Sequence, residues 1–241
     1  MEQDGVINMD RGTLYQHPVN FFVDGQLKLV SDTLRGRGLY KRGIYRYYTN
    51  CITNHDYQER NVNGNRLKIG YAAIYAPYIP LWYMGDEFGV TMPYRAVLYD
   101  IAVDYGAVGS NAGQTYFYED VKQMIAIRRT YPEIFEYYPL SHKKTNLCEV
   151  TVEGLTSLEN YARYAGNQMV IVVANNEAGN SGVCSVEIPF DRLEGTYKNY
   201  KVTDLLTGRV ITMGYAETVN HFSAIVPYEY CGVFLVEGIA D

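Results

Sequence analysis

The chain has 241 residues, enough to bury a sizeable core as one large domain or two ordinary ones. A net charge of -6 and a pI near 5.3 argue against nucleic acid or an anionic membrane as partner, and the longest Lys/Arg runs are only Lys41-Arg42, Arg128-Arg129 and Lys143-Lys144. The 25 tyrosines pair apolar rings with polar tips, which suits sugar-binding clefts and half-buried surfaces alike.

Residues 1–22 are rich in Asp, Gly and Asn, and His17-Pro18 biases the backbone toward an extended path, so a loop is predicted there. The stretch has neither the positive start nor the apolar run of a signal peptide, and no later segment approaches the length of a membrane span. The expectation is a soluble chain without an address, cytoplasmic if the chain is complete. Asp24 is placed to cap a short helix with Val23, Leu27, Val30 and Leu34 on one stripe, stopped by Gly36 and Gly38.

The stretch from Tyr45 begins as aromatic and β-branched residues, the composition of a buried strand, and then turns abruptly into Asn54-His55-Asp56. After a polar loop over 61–65, Leu67, Tyr71 and Ile74 recur at helical spacing until Pro77 and Pro80. Leu81-Trp82-Tyr83-Met84 is then a short apolar strand leading into Gly85-Asp86-Glu87-Phe88-Gly89. This order of helix, strand, helix, strand predicts βα units around a parallel sheet.

Residues 89–115 form a long connection without clear period, as beside a functional cleft. Thr115 is expected to cap a further helix, with Glu119 and Asp120 in its first turn, Val121, Met124, Ile125 and Arg128 along one side, and Tyr131-Pro132 at its end. No convincing helix follows. Residues 146–238 form short strands, with Gly166-Asn167 turning one alternating strand into an apolar return strand. Six or seven antiparallel strands predict a β-sandwich, with the boundary near Pro139 to Asn146. The four cysteines, Cys51, Cys148, Cys184 and Cys231, are too widely spaced for a C-x-x-C metal site and are expected as buried free thiols.

A strand delivering Asn54, His55 and Asp56 to its carboxyl end puts a polar triplet where parallel α/β folds gather chemistry. The residues also fit a second role, capping the following turn. Asp86 and Glu87 sit at the next strand end, where a Gly-flanked acidic turn bonds local backbone or a cation more often than it supplies paired catalytic carboxylates. Asp100 and Asp104 suit a solvated face. His17, His142 and His221 suit the surface, and Trp82 the core or rim.

Three blocks in order resemble the α-amylase family of glycoside hydrolases. Thr53-Asn54-His55-Asp56 resembles the motif ending the family's seventh barrel strand. The run from Tyr75 to Gly89 is similar to its eighth, and Glu119 to Ile134 to its last barrel helix. Val202 to Gly208 and Val226 to Phe234 resemble the family's carboxyl-terminal sandwich. The resemblance implies an α/β plus all-β chain: residues 1–140 as the last βα units of a partial (β/α)8 barrel, and 141–241 as an antiparallel β-sandwich. It implies an α-glucan or oligosaccharide as substrate. Asp56 would stabilise the transition state, His55 would donate a hydrogen bond to it, and Asn54 would position the turn. Arg60 lies four residues after Asp56 where the family places an arginine three after, so its substrate-binding role is in doubt. No cofactor is implied, beyond a structural calcium in the complete protein.

Retaining hydrolysis needs a nucleophile and an acid/base carboxylate about 5 Å apart. The family supplies them from the fourth and fifth barrel strands, and none of Glu2, Asp4, Asp10, Asp24 or Asp32 matches either motif. A whole barrel takes roughly 200–250 residues, against about 140 before the sandwich here. The chain is therefore expected to be inactive alone and to self-associate through incomplete barrel edges. A non-catalytic carbohydrate-binding protein derived from the family is the alternative.

Overall fold

The computed structural model describes residues 15–18, 40–41, 44–45, 48–51, 66–76, 79–81, 85–89, 104–135, 146–156, 158–214 and 220–239. The chain divides into two compact units, one of residues 1–125 with 139–143 and one of 126–138 with 144–241.

In the first unit, strand β1 (Tyr15–Pro18) pairs in parallel with β4 (Tyr48–Cys51), and β4 pairs in parallel with β5 (Ile79–Leu81). Two short strands, β2 (Tyr40–Lys41) and β3 (Ile44–Tyr45), form a hairpin between them in sequence. The loop expected over residues 1–22 is thus corrected at β1. Its pairing partner lies some thirty residues away, so no local pattern announces it, and Pro18 is tolerated because β1 is an outer strand of the described sheet. The strand before the Asn54 triplet is also shorter than expected, since Ile44 and Tyr45 belong to the hairpin. The helix predicted over 23–34 lies outside the described residues.

Helix α1 (Lys68–Ile74) joins β4 to β5 and is wound in the wider π pattern, with the Tyr75 N–H donating to Gly70 O at 3.1 Å. Ile69, Tyr71, Ala73 and Ile74 are all buried, so the helix is enclosed around most of its girth and not along one stripe only.

Helix α2 (Tyr105–Ser110) and helix α3 (Ala112–Thr130) occupy part of what the sequence suggested was a patternless connection. Asp104 Oδ1 accepts the N–H groups of Gly106 and Ala107, each at 3.0 Å, which caps α2. Asn111 Oδ1 accepts the Gln114 N–H at 3.2 Å and starts α3. The expected cap at Thr115 is therefore corrected: Thr115 lies inside α3, where its hydroxyl donates to Asn111 O at 3.1 Å. Glu119 and Asp120 consequently sit in mid-helix, while Phe117, Val121, Met124 and Ile127 make the buried stripe. Thr130 is the last residue of α3, and Pro132 opens a short helix, α4 (Pro132–Phe135), a position that suits its missing N–H.

The second unit carries nine described strands in two antiparallel sheets. They are β6 (Leu147–Val150), β7 (Val152–Glu153), β8 (Asn160–Ala165), β9 (Gln168–Asn175), β10 (Val183–Glu187), β11 (Asn199–Asp204), β12 (Val210–Gly214), β13 (His221–Ile225) and β14 (Tyr230–Ile239). The larger sheet has the order β12-β11-β14-β9-β8-β6 and the smaller β13-β10-β7. Met169, Ile171 and Val173 of β9 join Val186, Val202, Phe222 and Phe234 in the apolar core. The alternate residues Val170 and Val172 are equally buried, which is why β9 is apolar at nearly every position.

Arg163 of β8 is fully buried and donates to Phe135 O at 3.0 Å, with its guanidinium 5.4 Å from the Phe135 ring, so it fastens α4 to the larger sheet. Asn175, also buried, donates to Val226 O at 2.9 Å. Gly182 exchanges close backbone contacts with the same residue at a φ of 77°, and a Cβ there would collide with Val226 O. Gly182→Ala is expected to cost roughly 2–3 kcal/mol, read as a lowered urea midpoint at unchanged slope.

Cys184 and Cys231 are buried and Cys148 is only half-buried, and none of the three is in a disulfide. Burial pushes the Cys148 and Cys184 thiols up to about 11, so neither is a reactive thiolate at neutral pH. Glu187 moves the other way. Hydrogen bonds from Thr151 and then Asn220, whose Nδ2 lies 3.0 Å from Oε1, hold its carboxyl below the usual range, with a smaller contribution from the charge of His221. A lowered folded pKa stabilises above the unfolded pKa and is lost as pH falls through the folded one. The stability difference between the wild type and Asn220→Ala should therefore be full at neutral pH and shrink in acid below the Glu187 transition, as followed by chemical denaturation across pH.

Candidate active site at the carboxyl edge of the parallel sheet

The three parallel strands end flush. Pro18 stands opposite Cys51, and Cys51 opposite Leu81, so the chain leaves β4 and β5 at the same edge. Asn54 follows the end of β4 by three residues, and Gly85 follows the end of β5 by four. Asn54, His55, Asp56 and Arg60 themselves lie outside the described residues, as do Trp82, Asp100 and His142.

The turn after β5 is described in full. Gly85 and Gly89 bracket a single 3-10 turn (Asp86–Phe88) with φ of 92° and 63°, backbone angles that favour glycine at both ends. The Phe88 N–H donates to Gly85 O at 3.1 Å and the Gly89 N–H to Asp86 O at 3.0 Å. Glu87 Oε2 accepts the Gly85 N–H at 3.2 Å, the local backbone bond expected of such a turn. Asp86 is fully buried. One carboxylate is thus enclosed and the other bonded to the backbone of its own turn.

Aromatic packing fixes the turn against its neighbours. The Phe88 ring stacks on Tyr118 of α3 at 4.6 Å and meets Tyr105 of α2 edge-on at 5.7 Å. Arg66, just before α1, bonds Asp120 Oδ2 at 2.6 Å and lies 5.9 Å from the Phe117 ring. Asp120, expected in a first helical turn, instead holds the start of α1 against the middle of α3. Sequence reasoning missed these anchoring roles, for which the aromatic spacing Phe117-Tyr118 opposite Phe88 was the available signal. Among the described residues no group of three or more His, Cys, Asp or Glu side chains converges to hold a metal ion, so the calcium of the complete protein remains an expectation.

The fold is shared with α-amylases of known structure. The chain is similar to the Geobacillus thermoleovorans α-amylase solved with acarbose, with a TM-score of 0.59 at 15% identity over 87% of this chain and 43% of that one. It is similar to an Anoxybacillus α-amylase at 0.58 and 14%, over 90% and 47%. A noncanonic maltogenic α-amylase from Thermotoga neapolitana matches at 0.57 and 7%, over 95% and 51%. No family model matches the sequence, and no curated protein is similar to it at the level of sequence. The chain therefore spans about half the length, or less, of the α-amylases whose fold it shares, a coverage consistent with a carboxyl-terminal portion.

Proposed function

We propose that this chain is the carboxyl-terminal part of an α-amylase-like glycoside hydrolase or transglycosidase acting on α-glucosidic bonds. The observation that carries the reading is the flush parallel edge at Cys51 and Leu81, from which both the Asn54-His55-Asp56 and Gly85-Asp86-Glu87 segments depart. In this reading β1, β4 and β5 with their helices are part of a (β/α)8 barrel, and the second unit is its trailing sandwich. Asp56 holds sugar hydroxyls at the cleavage subsite and stabilises the oxocarbenium-like transition state, His55 donates a hydrogen bond to it, and Asn54 positions the turn. Arg60 is the less secure contact because its spacing departs from the family motif. The nucleophile and the acid/base belong to barrel strands this chain lacks, and the missing strands would cover the outer edges of the described parallel sheet.

The test is reducing-sugar release from maltoheptaose by the chain alone and by the polypeptide its source cells make. The chain alone is expected to release none, and the complete enzyme to release product with its anomeric configuration retained. Turnover by the isolated chain, or inversion by the complete one, would contradict the assignment.

A further inference from the structure

One turn of α3 takes hold of two separate parts of the first unit. Phe117 and Asp120 stand three residues apart and so share a helix face. Both meet Arg66, whose Nε donates to Asp120 Oδ2 at 2.6 Å and whose guanidinium carbon lies 5.9 Å from the Phe117 ring centroid. Phe117 is fully buried, and the Arg66 and Asp120 side chains are only 23% and 25% exposed, so this short charge-assisted bond is shielded from water in a way that a surface ion pair is not. Tyr118, from the same turn, carries the Phe88 ring in a stack at 4.6 Å and 17°. The remaining residue of the turn, Glu119, pairs instead with Lys122 at 3.0 Å, and both of those side chains are more than half exposed.

The two parts held are the ones that leave the carboxyl edge of the parallel sheet. Residues 52–65, which include Asn54-His55-Asp56, run from Cys51 at the end of β4 to Arg66. Their first end is fixed by β4, which is paired on both sides, and their second by the grip on Arg66. Phe88 belongs to the turn after β5, which Glu87 closes on the Gly85 N–H. Residues 117–120 therefore tie the returning end of the first segment and the turn of the second to one rigid element.

We infer that Asp120 is a positioning residue for Asp56. Through Arg66 it sets where the segment after β4 re-enters the fold, and the Tyr118–Phe88 stack keeps the segment after β5 in step with it. The role rests on the function proposed above and is exerted through Arg66 and the chain, without contact to the sugar. Catalysis is sensitive to such a tie, since a misplacement of about 1 Å far from the chemistry can cost about 10²-fold in rate. Substrate affinity is spread over many contacts, so the loss should fall on kcat and spare KM.

The experiment measures kcat and KM for maltoheptaose in the complete enzyme, alongside hydrogen exchange of the 241-residue chain. Asp120→Ala is expected to lower kcat about tenfold or more at nearly constant KM, and to speed exchange across residues 52–65. Arg66→Gln should fall to the same level and the double variant no further, because either change removes the same tie. Asp120→Asn keeps an acceptor and should recover part of the loss, while Glu119→Ala should leave kcat unchanged. Should Asp120→Ala not fold, Asp120→Asn and Arg66→Gln carry the same comparison. A wild-type kcat in Arg66→Gln and Asp120→Ala, additive losses in the double variant, or an equal loss in Glu119→Ala would overturn the positioning role and leave the functional reading standing. A complete wild-type enzyme without turnover would overturn that reading, and this role with it.

Discussion

Asp56→Asn in the complete enzyme is expected to abolish turnover, a loss of at least 10²–10³-fold in kcat, with the melting temperature nearly unchanged. The substitution keeps the shape of the side chain and removes its negative charge. If Asp56 faces a sugar ring developing positive charge, that charge is what the transition state uses and the ground state scarcely needs. If Asp56 merely caps the turn after β4, the amide still accepts a backbone hydrogen bond, and activity should survive. Survival of activity in the variant would favour the capping role. His55→Ala should produce a smaller loss, on the order of one hydrogen bond, in kcat and not in KM.

Arg163→Ala is expected to destabilise the second unit by about 3–5 kcal/mol. The side chain is among the largest fully buried in the described structure. Its removal leaves a cavity beside Phe135 and takes a charge-assisted donor from Phe135 O, while Asn146 Oδ1 loses a longer contact at 3.5 Å. Asn146 still donates to Ile134 O at 2.5 Å, so α4 keeps one tie of its own. Arg163→Lys should recover little, because an ammonium cannot present the planar fork that lies near the Phe135 ring. Chemical denaturation of both variants reads the effect. A cost below about 1 kcal/mol for Arg163→Ala would mean that α4 is held mainly by Ile134 and Phe135.

The second unit was the more legible part of the sequence. Gly166-Asn167 between two apolar runs marks the β8–β9 hairpin, and the short antiparallel strands expected over 146–238 are present. Two features escaped. Strand β7 has only two residues, too few to show a period, and Thr151 between β6 and β7 gave no sign that the chain changes sheets there. In the first unit Leu67, Tyr71 and Ile74 announce α1, whereas β5 begins two residues before the expected Leu81 because Pro80 reads as the end of the preceding run. Proline in fact suits an outer strand of the described sheet, where its missing N–H costs no ladder bond.

The start of α3 was misplaced because Asn111 and Thr115 are both acceptable caps four residues apart, and only tertiary packing of Phe117 and Tyr118 selects the earlier one. Near the site, the strand preceding each motif was legible in outline, as β4 and β5. The enclosed Asp86 was not, since a Gly-flanked acidic residue looks exposed in sequence and its burial depends on residues far along the chain.

The most direct test of the account is the mass of the native polypeptide in its source cells, by immunoblot with antibodies to residues 160–238. The account predicts a band of roughly twice the 27.4 kDa of this chain or more, as a full barrel with its sandwich requires. A single band at 27.4 kDa would contradict it, and binding, assembly with a partner or degeneration would displace catalysis as the account of this chain.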